Sequence, residues 1–331
     1  MAKTAFVTGS NGFVGVNLVE ELLSQNWRVV AMHRVGADIH QLSVLPAERV
    51  IGDVSDYRSL RAAMPANVDT VFHVAGSTSL WARLRIEQMR VNVKGTRNVV
   101  RAALESGAGC LVHTSSAVAY GLHGGTVTED TPSRGTSAAI NYVRSKALAE
   151  REVRRGISRG LKAVIMNPAH IIGPYDDGNW SRLFRMVEHG RLPAVPGGGG
   201  SFCHVKSVAR AHIVAAERGR SGANYLLGGA DTSYLGLVRA IARLRGKRRR
   251  FLPLPSSALK LYARAEELIA VVFRREPDIT RDGVELLSVN LYCKNQRAVD
   301  ELGYEPLPLG RLLEDCHRWL VESGRLRALG K

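Results

Sequence analysis

The first half of the chain alternates short apolar runs with longer stretches whose apolar residues recur at helical spacing. Residues 3–8 read as a strand, followed by a helix from Asn11 to Ser24. Trp27 to His33 predicts a second strand, and Val50-Ile51 closes a short third one at Gly52-Asp53. Thr70 to Val74 and Gly109 to Thr114 predict the fourth and fifth, with a long helical stretch over about 81–106 between them. A helix over 139–158 leads to the sixth, Leu161 to Met166. Short apolar strands separated by helices indicate a parallel sheet covered on both faces. The expected fold class is therefore α/β, a Rossmann-type doubly wound parallel sheet with right-handed crossovers.

The second half is less regular. Pro193 to Gly200, ending in four glycines, predicts a loop. Tyr225 to Gly229 reads as a strand and turn, and helices are expected over 234–244, 258–273 and about 308–322. These pieces suggest a smaller cap interleaved with the sheet. Residues 1–168 are assigned to the nucleotide-binding domain, with sheet-completing segments from about 204–230. Residues 169–203 and 231–331 are assigned mainly to a substrate-binding cap. Trp81, Trp180 and the apolar residues from Leu259 to Phe273 are candidates for an apolar substrate pocket or for the cap core, the core being favoured for most of them.

The chain of 331 residues carries a formal net charge of +16. Residues 1–150 hold 15 Lys/Arg against 12 Asp/Glu, and residues 151–331 hold 31 against 18. The basic excess, with its run Arg245 to Arg250, suits an anionic carrier or a membrane surface, or is a solvated face. No run approaches the roughly 18 apolar residues that span a bilayer. Four scattered cysteines give neither a metal pattern nor a disulfide framework, so no metal is expected and a cytoplasmic setting, at most peripheral to a membrane, is.

Thr8-Gly9-Ser10-Asn11-Gly12-Phe13-Val14-Gly15 follows the first strand and opens a helix. Glycines spaced three apart let the backbone approach a pyrophosphate, and the helix N-terminus offers free N–H groups. Strand two ends in Met32-His33-Arg34 without a carboxylate. An Arg there suits a 2′-phosphate, so NADP(H) is favoured and NAD(H) is the other possibility. Asp53, with Val54 beside it, either accepts from the adenine amine or caps a helix over 56–64.

Tyr142 and Lys146 are four apart, hence on one helical face, and Thr114-Ser115-Ser116 ends the fifth strand. A lysine ammonium lowers a phenol's pKa, and Ser116 can add a hydrogen bond to a substrate oxygen. Such a trio can protonate a carbonyl as hydride arrives.

On these segments, with Asn92-Val93-Lys94-Gly95-Thr96 between them, the chain resembles the extended short-chain dehydrogenase/reductase (NAD-dependent epimerase/dehydratase) family over nearly its full length. Within it, Arg275-Glu276-Pro277 and Leu302 to Pro306 are similar to the dihydroflavonol-4-reductase-like and 3β-hydroxysteroid dehydrogenase-like branch. The resemblance implies Tyr142 as catalytic acid/base, Lys146 on the nicotinamide ribose and Ser116 on the substrate oxygen. It places Ser115 and Thr114 near the nicotinamide, and Ala75-Gly76 beneath the pyrophosphate and ribose. Pro168 and Ile171 fall in the loop that meets the carboxamide. One departure is Lys206-Ser207, where acids are usual. The expected activity is NADP(H)-dependent reduction of a bulky apolar aldehyde or ketone, with nucleotide-sugar epimerisation or dehydration as the alternative. The expected partner is a small-molecule carbonyl compound. A homodimer is compatible with the resemblance, and nucleic acid is not expected.

Overall fold

The computed structural model describes residues 2–192, 194–248 and 250–328. Its strands are β1 (Thr4–Thr8), β2 (Arg28–His33), β3 (Glu48–Ile51), β4 (Thr70–His73), β5 (Cys110–Thr114), β6 (Gly125–Val127), β7 (Ala163–Pro168), β8 (His170–Ile172), β9 (Gly199–His204), β10 (Asn224–Leu227), β11 (Ala230–Ser233) and β12 (Asn290–Cys293). The main sheet runs β10-β7-β5-β4-β1-β2-β3, and its paired strands are all parallel. Alternate residues feed two separate cores. Ala5 and Val7 join the core beneath helices Phe13–Ser24 and Val205–Arg218. Phe6 joins the core beneath Tyr57–Ala63, Gly95–Glu105 and Asn141–Ile157. The two-residue repeat of a strand thus becomes a doubly wound Rossmann sheet.

A second sheet, β11-β9-β12-β6 with β8 beside β9, joins the main sheet to the cap. The cap core gathers Phe184, Phe202, Leu237, Ile241, Leu313 and Leu320. All four cysteines are buried and free.

One expectation is corrected, and two are given their detail. Gly199 and Gly200 belong to β9 rather than to a loop, and Pro193 lies outside the described residues. Side chains there would strike neighbouring segments, since a Cβ on Gly200 would sit 2.7 Å from the His170 ring. Within 204–230 only β10 enters the main sheet, while Val205–Arg218 is a helix covering its face. The stretch expected to be helical over about 81–106 is helical from residue 82 to residue 105. It divides into Ala82–Leu84, Arg85–Met89, a π-helical turn Arg90–Lys94 and Gly95–Glu105. The bulge turns Asn92 inward, and such turns gather at functional sites.

Candidate active site

The glycine turn is built by close contact. Gly9 has φ +68°, and a Cβ there would lie 2.7 Å from the Ala75 backbone. A Cβ on Gly15 would lie 2.1 Å from the Gly9 carbonyl oxygen. Gly12 caps the helix Phe13–Ser24 with no side-chain hydrogen bond, which leaves first-turn N–H groups of Phe13, Val14 and Gly15 without a side-chain partner from the cap. Thr8 Oγ1 accepts from Ala75 N at 3.3 Å and ties the turn to the loop after β4. A cradle that excludes any Cβ and presents a bare helix end fits a pyrophosphate.

Past β2, Arg34 is exposed, and among the described residues no carboxylate pairs with it. Asn11 Nδ2 donates to the Asp38 carbonyl at 3.1 Å, so the loop beyond the strand tip folds back onto the turn. The Asp38 carboxylate itself accepts from His40 N at 2.9 Å. Asp53 does not cap the helix after it. Its Oδ1 accepts from Ser55 N and Ser55 Oγ, both at 2.8 Å, and Asp56 is the cap, accepting from Arg58 N at 3.0 Å. Val54 packs on Gly95, and its carbonyl accepts from Asn98.

Helix Asn141–Ile157 brings Tyr142 and Lys146 to the end of β5. Tyr142 and Ser116 share a hydrogen bond, and burial raises the phenol's pKa against it. The Lys146 ammonium donates to the Thr114 carbonyl at 2.9 Å. Burial lowers the Lys146 pKa to about 8, opposed by Glu150. Gly76 lies over that ammonium, where its Cβ would be 3.3 Å from Nζ. Asn92 ties Ser77 to Ser145, with hydrogen bonds of 2.7 Å from Ser77 N and 2.9 Å to Ser145 Oγ.

The hydroxyls beside Ser116 are otherwise engaged. Thr114 Oγ1 lies 2.9 Å from His212 Nε2. Ser115 Oγ donates to Glu150 at 2.6 Å, so this hydroxyl is directed at the helix rather than at a nicotinamide. Glu150 also accepts from Asn167 at 2.7 Å and Asn224 at 3.1 Å. Pro168 ends β7 and Ile171 lies in β8, where it is paired in register with Cys203. Leu80, Leu122, Ala169 and Leu286 share an apolar cluster with Tyr142. Trp180 stacks on Tyr234, with ring centroids 5.5 Å apart, in the cap.

The sequence model of the NAD dependent epimerase/dehydratase family matches residues 5–228. The chain belongs to that family. As a member of it, the chain is an NAD(P)-dependent oxidoreductase whose fold serves hydride transfer. It is 32% identical to a Synechocystis sp. protein provisionally named a dihydroflavonol 4-reductase, over 99% of this chain and 97% of the relative. It is 31% identical to the sterol demethylase protein B of Methylococcus capsulatus, over 98% and 100%. These names differ at similar identity, so the family is fixed and its branch is not. The crystal structure of gox2253 superposes with a TM-score of 0.84 at 32% identity, covering 98% of this chain and 100% of that one. MoeE5, solved with UDP-glucuronic acid and NAD, has a TM-score of 0.75 at 25% identity, covering 97% and 99%.

The NADP(H) preference is overturned by the cofactor in the MoeE5 structure, which is NAD. NAD also occupies other structures that share the fold. An exposed arginine is not a built phosphate site, and the loop beyond it returns to the turn through Asp38.

Proposed function

We propose that this epimerase/dehydratase family member uses NAD(H) and acts on a nucleotide sugar as an epimerase. The observation that carries the reading is the likeness to MoeE5, whose structure holds NAD and UDP-glucuronic acid, along 97% of this chain. NAD, when bound, would supply a hydride acceptor for a carbinol carbon and a hydride donor to the opposite face of the resulting carbonyl. The turn Gly9 to Gly15 would hold the pyrophosphate, and Lys146 beneath Gly76 would hold the ribose. Tyr142 takes and returns the hydroxyl proton, with Ser116 hydrogen-bonded to the same oxygen. Epimerisation is favoured over dehydration because dehydration needs a further free carboxyl group. Glu150, on the same helix as Tyr142, is occupied by Ser115, Asn167 and Asn224.

A second reading, reduction of a bulky carbonyl compound, is favoured by the apolar neighbours of Tyr142 and by the reductase name of the Synechocystis relative. One pair of assays separates the two. Incubation with UDP-glucose or UDP-glucuronic acid and catalytic NAD yields the epimer with no net NADH. Bulky ketones with excess NADH are left unreduced. Stoichiometric NADH loss with alcohol formation, and no epimer, replaces the first reading with the second.

A further inference from the structure

The cap helix Ser256–Val272 has two apolar faces. Leu259, Ala263 and Ala270, with Glu266 among them, are buried against the cap. On the other side Leu261, Tyr262, Leu268, Ile269, Val272 and the following Phe273 are exposed, from 46% for Ile269 to 76% for Val272. Spacings of seven and eleven residues put Leu261, Leu268 and Val272 on one line along the helix, with Tyr262 and Ile269 beside it. These residues were expected in a pocket or the core, and the structure turns them to solvent. A stripe of this kind on one helix is not ordinary surface scatter.

An exposed cation borders the stripe on its own helix, and others lie elsewhere on the cap. Arg264 lies along its edge and is exposed. Earlier in the sequence, Arg239, Arg243, Lys247 and Arg250 line a hollow of about 390 Å³ together with Ala242, Phe251 and Leu252. Among the described residues, Arg239, Arg243, Arg250 and Arg264 have no carboxylate partner, whereas Lys247 pairs with Glu188. Arg245 does not belong to this surface. It is 4% exposed and bound to Glu188 and His317. Arg249 lies outside the described residues.

We infer that this face of the cap docks on an anionic phospholipid bilayer. The apolar stripe enters the acyl boundary while the arginines meet lipid phosphates, which match guanidinium geometry. Charge decides the occupant. A second copy of this chain, itself at +16, would bring the same unpaired arginines against one another, whereas a negatively charged leaflet neutralises them. The helix has 17 residues, and no helix of the described residues is long and apolar enough to cross a membrane, so the helix lies on the surface. The segment after the helix also reaches the neighbourhood of the site. Glu276, just past this helix, accepts a hydrogen bond from Ser79, beside the Leu80 that packs with Tyr142.

The test is co-sedimentation of the full chain with vesicles of phosphatidylcholine, with and without phosphatidylglycerol. Binding is expected only with phosphatidylglycerol and is weakened by salt. Replacing Leu261, Leu268 and Val272 by serine should cut affinity by at least about tenfold. Each of Arg239→Gln and Arg243→Gln should cost about fivefold at low salt. The exposed positions leave thermal stability and NAD binding unchanged. In Leu268→Trp, emission should shift to the blue on adding anionic vesicles. Absence of binding to anionic vesicles at low salt overturns the inference. So does a serine variant that converts a dimer to a monomer without altering vesicle affinity, because a second copy then covers the face.

Discussion

At the scale of single residues, the site rests on groups whose ordinary chemistry is shifted by burial. Tyr142→Phe keeps the ring and removes the hydroxyl, so NAD affinity should persist while turnover falls by about 10²–10⁴-fold. Single-turnover hydride transfer measures this, and a near-normal rate would remove Tyr142 from the proton path. Lys146 has a pKa lowered to about 8, so its ammonium is present below that pH and is lost as pH rises through it. NAD affinity, measured by quenching of protein fluorescence, should therefore weaken as pH rises through about 8. The pH step should be absent in Lys146→Met. Arg245 gives the contrasting case of a charge with a structural partner. Arg245→Met should lower stability by about 1–3 kcal/mol, read by denaturant unfolding, and leave NAD affinity intact.

At the scale of elements, the glycine turn is the least forgiving. Gly15→Ala forces a methyl group to within 2.1 Å of the Gly9 carbonyl unless the turn opens. It should lose about 1–3 kcal/mol of stability and most NAD affinity, checked by thermal melts with and without NAD. This element was legible in the sequence because its chemistry is local. A strand, three spaced glycines and a helix are contiguous, and Tyr142 and Lys146 are a single helical turn apart. What the sequence concealed is non-local. Glu150 collects Ser115, Asn167 and Asn224, partners that become neighbours only once β5, β7 and β10 lie side by side. The cap strands were hidden for another reason: β9 begins with two glycines whose strand conformation is set by crowding rather than propensity. The helix Ser256–Val272 was legible as a helix, but its buried face was not, because apolar residues on both faces give no direction to its period.

At the scale of the whole molecule, buried imidazoles make stability depend on pH. His73 is fully buried between Thr8 and Thr96, and burial lowers its pKa to about 3. His212, also fully buried, is lowered to about 4. In the unfolded chain each takes a proton near pH 6.5. Their contribution is thus complete above that pH and is lost as pH falls toward the folded values. Each should cost about 1.4 kcal/mol per pH unit in that window. Calorimetry between pH 7.5 and 5 should show a falling melting temperature, with a shallower fall in His212→Gln. The order of strands has a further consequence, for synthesis on the ribosome. β10 completes the edge beside β7 only after the chain has made β8, β9 and the helices between them. Until residue 227 emerges, the fully buried strand Ala163–Pro168 is an open, apolar edge. The nascent nucleotide-binding half is therefore sticky until cap segments have been translated, and a fragment ending at residue 172 should aggregate where the full chain remains dispersed.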